Sequence, residues 1–197
     1  LGFAKWFPEA FEEFRCISVF ELLREYIETG KIRVDRSRHP HPATVHDPCN
    51  YVRKSYMTFG DHQGDNIRWV MKQCCENFVD MSPNILNNHC CGAGGGAWAM
   101  PYTEERIAYG RHKAEQIRAT GAELVVAPCH NCRDQIMKGL SKKYDMGNYK
   151  ETMYLWELVA QSIVIEPWSD EEIEAAHAER DAQFERDGVV LDEEEME

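Results

Sequence analysis

Five cysteines in this chain sit where their spacing could do chemistry: Cys49, the adjacent pair Cys90-Cys91, and Cys129-x-x-Cys132. A CxxC spacing lets both sulfurs face one metal centre across a single helical turn. Each of the five stands where a strand or loop gives way to a helix, and a helix N-terminus favours thiolate over thiol. The adjacent pair is harder to fit to one ion. Two neighbouring residues strain to bring both sulfurs to a mononuclear tetrahedral site, but they can serve neighbouring irons of a cluster. Five thiolates also overfill a four-coordinate zinc site and an ordinary cubane cluster. The count therefore favours an atypical iron–sulfur cluster. Gly92, Gly94, Gly95 and Gly96 follow the pair directly. Glycines there let backbone amides approach and point at an electron-rich cluster, as in an anion nest.

The other cysteines read differently. Cys74-Cys75 continues the apolar face of a helix and is followed by Glu76 rather than glycine, so it reads as core. Cys16 has no partner nearby in sequence and reads as structural. His46, His89 and His130 each lie within three residues of a candidate ligand. Such a histidine can donate to sulfur or protonate a leaving thiolate, and it can equally be a turn residue bonded to backbone. His130, inside the CxxC, is the candidate proton donor. Arg133 can pair with an acidic substrate terminus, and Trp98 can shield the site from water.

In this order, with 40 and 37 residues intervening, Cys49, Cys90-Cys91-Gly92 and Cys129-x-x-Cys132 resemble the cysteine-rich CCG domain of heterodisulfide reductase subunits and their relatives. The likeness spans residues 43–165 and includes His46-Asp-Pro-Cys49, Cys91-Gly-Ala-Gly-Gly-Gly96 and Ala127-Pro-Cys129. The stretches from Cys90 through Trp98 to Pro101, from Cys129 to Asp134, and Tyr154-Leu-Trp156 are similar to DsrK-type catalytic subunits of the membrane complex linked to dissimilatory sulfite reduction. The resemblance implies a non-cubane 4Fe–4S cluster ligated by Cys49, Cys90, Cys91, Cys129 and Cys132. It implies cleavage of a disulfide-type bond with electrons delivered one at a time. The implied substrate is a di- or trisulfide borne on a small sulfur-carrier protein. The implied electron source is an upstream cubane-cluster module and quinone-linked membrane subunits, which would hold the protein at the cytoplasmic face of the inner membrane. No four closely spaced cysteines are present, and the chain opens on Leu1, so it reads as a C-terminal fragment. Two other readings stay open: an electron-transfer subunit of a lactate- or glycolate-type hydroxyacid oxidase, and a non-catalytic zinc-bound interaction module.

These residues need elements to position them. The chain alternates short apolar stretches with helical periodicity, which predicts an α/β fold with a short parallel sheet flanked by helices. Ser18 and Glu21 form a capping box that opens a helix, and Gly30 can end it. Ala43–His46 and Glu123–Ala127 read as strands. Helices are expected over 65–78, from Thr103 to Gly121, and from Cys129 to about Lys143. Residues 92–96 read as loop, and 149–165 as a helix or a helix plus strand. Ser169 and Glu172 form a second capping box before a charged helix and an acidic tail. The expected organisation is a helical segment over 1–34, the cysteine-rich domain over 35–165, and an acidic extension over 166–197.

The 34 acidic and 22 basic residues give a net charge of −12. Residues 1–165 hold 20 of each sign, whereas residues 166–197 hold 14 acids and 2 bases. The acidity is thus C-terminal, and it argues against nucleic-acid binding, which needs clustered Lys and Arg. No stretch approaches the roughly 20 apolar residues a bilayer span requires, so direct membrane insertion is not expected. The N-terminus lacks the basic and cleavage features of a signal peptide. Eight cysteines without such a signal point to thiols kept for metal or redox work.

Overall fold

The computed structural model describes residues 5–14 and 17–188; Cys16 and the acidic tail from residue 189 lie outside them. The chain divides into two compact units, residues 1–164 and 165–197.

The first unit opens with α1 (Pro8–Glu13) and α2 (Val19–Glu28). Ser18 caps α2 as its sequence predicts: its hydroxyl accepts from Phe20 N–H, and its own N–H donates to Glu21 at 2.7 Å. Strand β1 is Ala43–Val45, and a wide helical turn over Asn50–Lys54 leads into α3 (Ser55–Phe59). Next come α4 (Gly64–Cys74), α5 (Gly95–Ala99), α6 (Thr103–Tyr109), α7 (Arg111–Thr120) and β2 (Leu124–Val126). After them α8 (His130–Asp134) continues through wide turns over Gln135–Leu140 into α9 (Ser141–Lys143). Strand β3 (Glu151–Met153) and α10 (Leu155–Ser162) complete the unit.

The three strands form one parallel sheet in the order β1-β2-β3, with Val45, Val126 and Met153 aligned across it. Side chains alternate along a strand, so β2 feeds two cores. Leu124 and Val126 pack with Val45, Ile67, Val70, Met71 and Leu158 on one face. Val125 and Ala127 pack with Ile117, Ile136 and Leu140 on the other. A sheet covered on both faces suits all-parallel strands, whose β2 here is buried throughout. The two vicinal cysteine pairs separate, and exposed Cys90 belongs to neither core. Cys74 and Cys75 belong to the first, while Cys91 belongs to the second with Cys132.

Several boundaries differ from the sequence expectation, each for a long-range reason. Helix α4 stops at Cys74 rather than Phe78 because the chain turns extended at Cys75. Residues 77–79 then take the free edge of β1: Ala43 N–H donates to Asn77 C=O at 2.9 Å, and Val79 N–H to Ala43 C=O at 2.8 Å. The helix expected from Thr103 to Gly121 is broken at Gly110, where a Cβ would stand 2.5 Å from both the Cys91 carbonyl and Leu140. Part of the glycine-rich stretch read as loop is helical, in α5. Residues 149–165 resolve into β3 and α10. Gly121, in the left-handed conformation at φ +67°, ends α7 where predicted.

In the second unit, α11 (Asp170–Asp187) starts at the Ser169–Glu172 capping box and ends at Gly188 in the left-handed conformation. No helix among the described residues is long and apolar enough to cross a membrane.

Candidate metal centre

The carboxyl ends of β1 and β2 deliver the first and last cysteines. Past Val45, the His46 N–H still bonds Val126 C=O at 2.9 Å, and the chain then turns through Asp47-Pro48 to Cys49. Past Val126, Ala127-Pro128 leads to Cys129 and helix α8. Such strand ends are where open parallel sheets bind ligands. The Cys90-Cys91 pair arrives on the loop between α4 and α5. Gly92 makes its turn possible: φ is +88°, and a Cβ there would overlap the Arg106 carbonyl.

All five cysteines line one cavity of about 250 Å³, together with Asn50, Lys54, Ala93, Gly94, Gly95 and Asn131. Each of the five thiols interacts electrostatically with a neighbour: Cys49 with Cys90, Cys90 with Cys91, Cys91 with Cys132 and Cys132 with Cys129. The Cys91–Cys132 separation is 3.3 Å, a contact between free thiols and far longer than a disulfide. Backbone amides point at these sulfurs. Gly92 N–H donates to Cys90 Sγ at 3.3 Å, Ala93 N–H bonds Cys91, and Asn131 and Cys132 N–H groups bond Cys129. Gly94 and Gly95 form wall, and Gly96 is not in the lining. The amides aimed at the pair thus come from residues 92 and 93, earlier in the glycine run than the sequence suggests.

Protons are shared unequally among the five thiols. Hydrogen bonds from Cys49 and Cys91, with the Gly92 amide, pull the Cys90 thiol down to about 2. The Cys132 thiol and two backbone amides draw Cys129 down to about 6, against the effect of burial. The partners move the other way. Donation to Cys90 and burial push Cys49 well above the usual thiol range. At Cys91 the Cys132 contact lowers the value, but donation to Cys90 and burial win and raise it to about 12. Donation to Cys129 and Cys91, plus burial, drives Cys132 up as well. Each thiolate thus makes its neighbour's deprotonation harder. Five thiolates in one cavity need a compensating polynuclear cation, and the donor set fits an iron–sulfur cluster better than a single four-coordinate ion. Cys74 and Cys75 are raised to about 11 and 12 by burial alone in the main, as befits packed thiols.

Three further features surround the cysteines. Arg53 donates through Nη2 to Cys49 Sγ at 2.9 Å and through Nη1 to Asn88 C=O at 2.6 Å, tying Cys49 to the loop that carries Cys90. Its i,i+4 spacing from Cys49 is a sequence signal that could have found it. Asp47 accepts both terminal nitrogens of Arg68 at 2.8 Å and Ile85 N–H at 2.7 Å, while Arg68 also holds Asp80. Lys113, fully buried, bonds Gln116 at 2.6 Å and Met81 sulfur at 3.4 Å, and burial lowers it to about 8. Neither Arg68 nor Lys113 is legible as more than the polar side of a helix.

The histidines separate. His46 is fully buried, and burial with the nearby Lys113 charge lowers it to about 3, so the ring is neutral. Its ring lies against the cage: one ring nitrogen and the sulfurs of Cys91 and Cys132 all lie within 4.8 Å of one another. His130 has an exposed side chain whose Nδ1 lies 2.5 Å from the Tyr154 hydroxyl, and it does not line the cavity. His89 packs against His112. Trp98 sits under the Arg106 guanidinium, outside the lining, and Arg133 stacks over Tyr154 beside Asp134.

An α/β sheet whose carboxyl edge carries five converging thiols defines a cysteine-rich metal-binding domain. Residues 43–137 match the CCG family of cysteine-rich domains, and this part of the chain is a domain of that family. It is 32% identical over 158 residues to a subunit of the dihydromethanophenazine:CoB–CoM heterodisulfide reductase of Methanosarcina mazei, covering 78% of this chain and 35% of that protein. It is 27% identical over 161 residues to a subunit of the fumarate reductase (CoM/CoB) of Methanothermobacter marburgensis, covering 79% of this chain and 29% of the relative. An uncharacterized iron–sulfur protein of Methanococcus maripaludis is 30% identical over 105 residues, or 50% of this chain and 18% of that one. The chain thus spans about a third or less of the relatives it matches. No solved structure matches it at a significant level. These homologues support an iron–sulfur redox role.

Proposed function

We propose that this chain is the cluster-bearing module of a heterodisulfide reductase-like oxidoreductase of DsrK type, with Cys49, Cys90, Cys91, Cys129 and Cys132 as ligands of a non-cubane 4Fe–4S cluster. The observation that carries the reading is the convergence of all five cysteines on one cavity, with the Cys91 and Cys132 sulfurs 3.3 Å apart. When bound, the cluster supplies the single-electron steps needed to reduce a substrate S–S bond. In the net reaction one S–S bond breaks and two electrons and two protons are consumed; a disulfide gives two thiols, and a trisulfide gives a thiol and a persulfide.

The protein's own groups do the rest. The Gly92, Ala93, Asn131 and Cys132 amides and the Arg53 guanidinium hold the thiolates and offset their charge. A second cavity of about 540 Å³ shares Asn50 and Lys54 with the first and gives room for the flank of a substrate. His130, exposed and joined to the Tyr154 hydroxyl, relays solvent protons to the leaving thiolate in this reading. The substrate is a di- or trisulfide on a small sulfur-carrier protein. Electrons arrive from cubane clusters and a quinone-linked membrane subunit at the cytoplasmic face.

Anaerobic purification followed by iron, sulfide and zinc analysis tests the reading. About four irons with acid-labile sulfide are expected, together with an EPR signal of the oxidised protein that changes on adding a thiol. Stoichiometric zinc without sulfide would overturn it.

A further inference from the structure

His46 is the one fully buried side chain at this site, among the described residues, with no hydrogen bond at either end. Both ring nitrogens are enclosed and unpartnered. Its neighbours do not offer a partner. Asp47 is occupied by Arg68 and Ile85 N–H, Lys113 by Gln116 and Met81, and Arg53 by Cys49 and Asn88. The ring nonetheless stands beside the cage, within 4.8 Å of Cys91 and Cys132 sulfurs. It makes no N–H···S bond to either, and the gap leaves space for an atom that the ring and both thiolates can reach together. Burying an unpaired imidazole is costly, and native interiors seldom tolerate it. The backbone fixes the ring there as well, because His46 N–H is held in the sheet by Val126 C=O at 2.9 Å.

We propose that His46 is a positioning residue whose ring N–H donates a hydrogen bond to a sulfur of the bound cluster, stabilising its reduced state. A neutral imidazole has one N–H to give, and the acceptor within reach is sulfur. Five thiolates already supply the ligands, so the ring is needed as a donor and not as a sixth ligand. A hydrogen bond to sulfur draws electron density away from the iron centre and favours reduction, which raises the potential. This inference rests on the iron–sulfur reading above.

The experiment compares the 197-residue wild-type chain with His46→Leu and His46→Gln after anaerobic loading with iron and sulfide. Readouts are iron content, midpoint potential by EPR-monitored titration, and nitrogen hyperfine coupling by pulsed EPR. His46→Leu is expected to keep its iron, with the midpoint shifted to more negative potential. It should also lose a weak nitrogen coupling seen in wild type. His46→Gln, which keeps an N–H donor, is expected to recover part of the shift. If His46→Leu fails to load, a loaded His46→Gln with an intermediate midpoint supports the proposal, and failure of both variants overturns it. Equal midpoints at equal iron content overturn it too, as does a strong coupling of the kind a directly bound imidazole gives. A wild-type chain that takes up no iron and sulfide would instead overturn the iron–sulfur reading itself, and with it this proposal.

Discussion

The two vicinal cysteine pairs show how much a single residue's neighbours decide. Both pairs are two sulfurs side by side, yet Cys74-Cys75 packs in the apolar core and Cys90-Cys91 lines the cavity. The difference is visible in sequence, because Gly92 follows one pair and Glu76 the other. Only glycine accommodates the left-handed turn against the Arg106 carbonyl that brings Cys91 inward. Cys90→Ala or Cys91→Ala is therefore expected to lose or alter the cluster spectrum. Cys74→Ala should keep the spectrum and cost only about 1 kcal/mol of stability, as a small core truncation. Absorption and EPR spectra with urea unfolding check both, and equal spectral loss from both pairs would contradict the assignment. His46 is harder to sort from His89 and His130 by sequence. All three flank candidate ligands, and which ring turns inward depends on the strand that carries it.

At the scale of elements, local signals locate ends well wherever the cause is local. The Ser18–Glu21 and Ser169–Glu172 boxes and Gly30 and Gly121 mark helix ends that the structure keeps. The break at Gly110 and the early end at Cys74 come from contacts with Cys91, Leu140 and β1, which no local window contains. The Asp47–Arg68–Asp80 clamp is hidden for the same reason. It fastens the end of β1 to α4 and to the loop that leads toward Cys90. Asp47 is nearly sealed from solvent, so removing its cation by Arg68→Met should cost about 3–5 kcal/mol. Burial alone would raise the Asp47 carboxyl, but Arg68 and the Ile85 amide hold it below the usual carboxylate range. A depressed carboxylate stabilises the fold at pH above its unfolded value, about 3.9, and that contribution is lost as pH falls through the folded value. Urea unfolding of the metal-free chain should therefore show wild type ahead of Asp47→Asn by a constant margin from about pH 7 to 5. Below about pH 4 the margin should shrink. A margin that grew toward acid pH would mean the clamp does not hold Asp47 ionised.

For the whole molecule, the charge and the chemistry occupy different parts of the chain. All five cavity cysteines, the sheet and both cores lie within residues 1–164. The 14 acids and 2 bases beyond residue 165 account for the entire net charge of −12. Helix α11 has no buried residue, and its solvated face needs no cluster to form, since its capping box and Gly188 stop are internal to it. Among the described residues, the cavity lining and both cores are drawn from the first unit's own residues, so that unit should suffice for holding metal. A chain ending at Val164 is thus expected to take up as much iron and sulfide as the full chain and to give the same EPR spectrum. Its net charge should move from −12 to near zero, raising the isoelectric point and lowering solubility near neutral pH. Metal analysis, EPR and isoelectric focusing of the two chains side by side make the comparison. Loss of iron on truncation would mean that the acidic segment takes part in closing the site, and that its charge belongs to the redox chemistry after all.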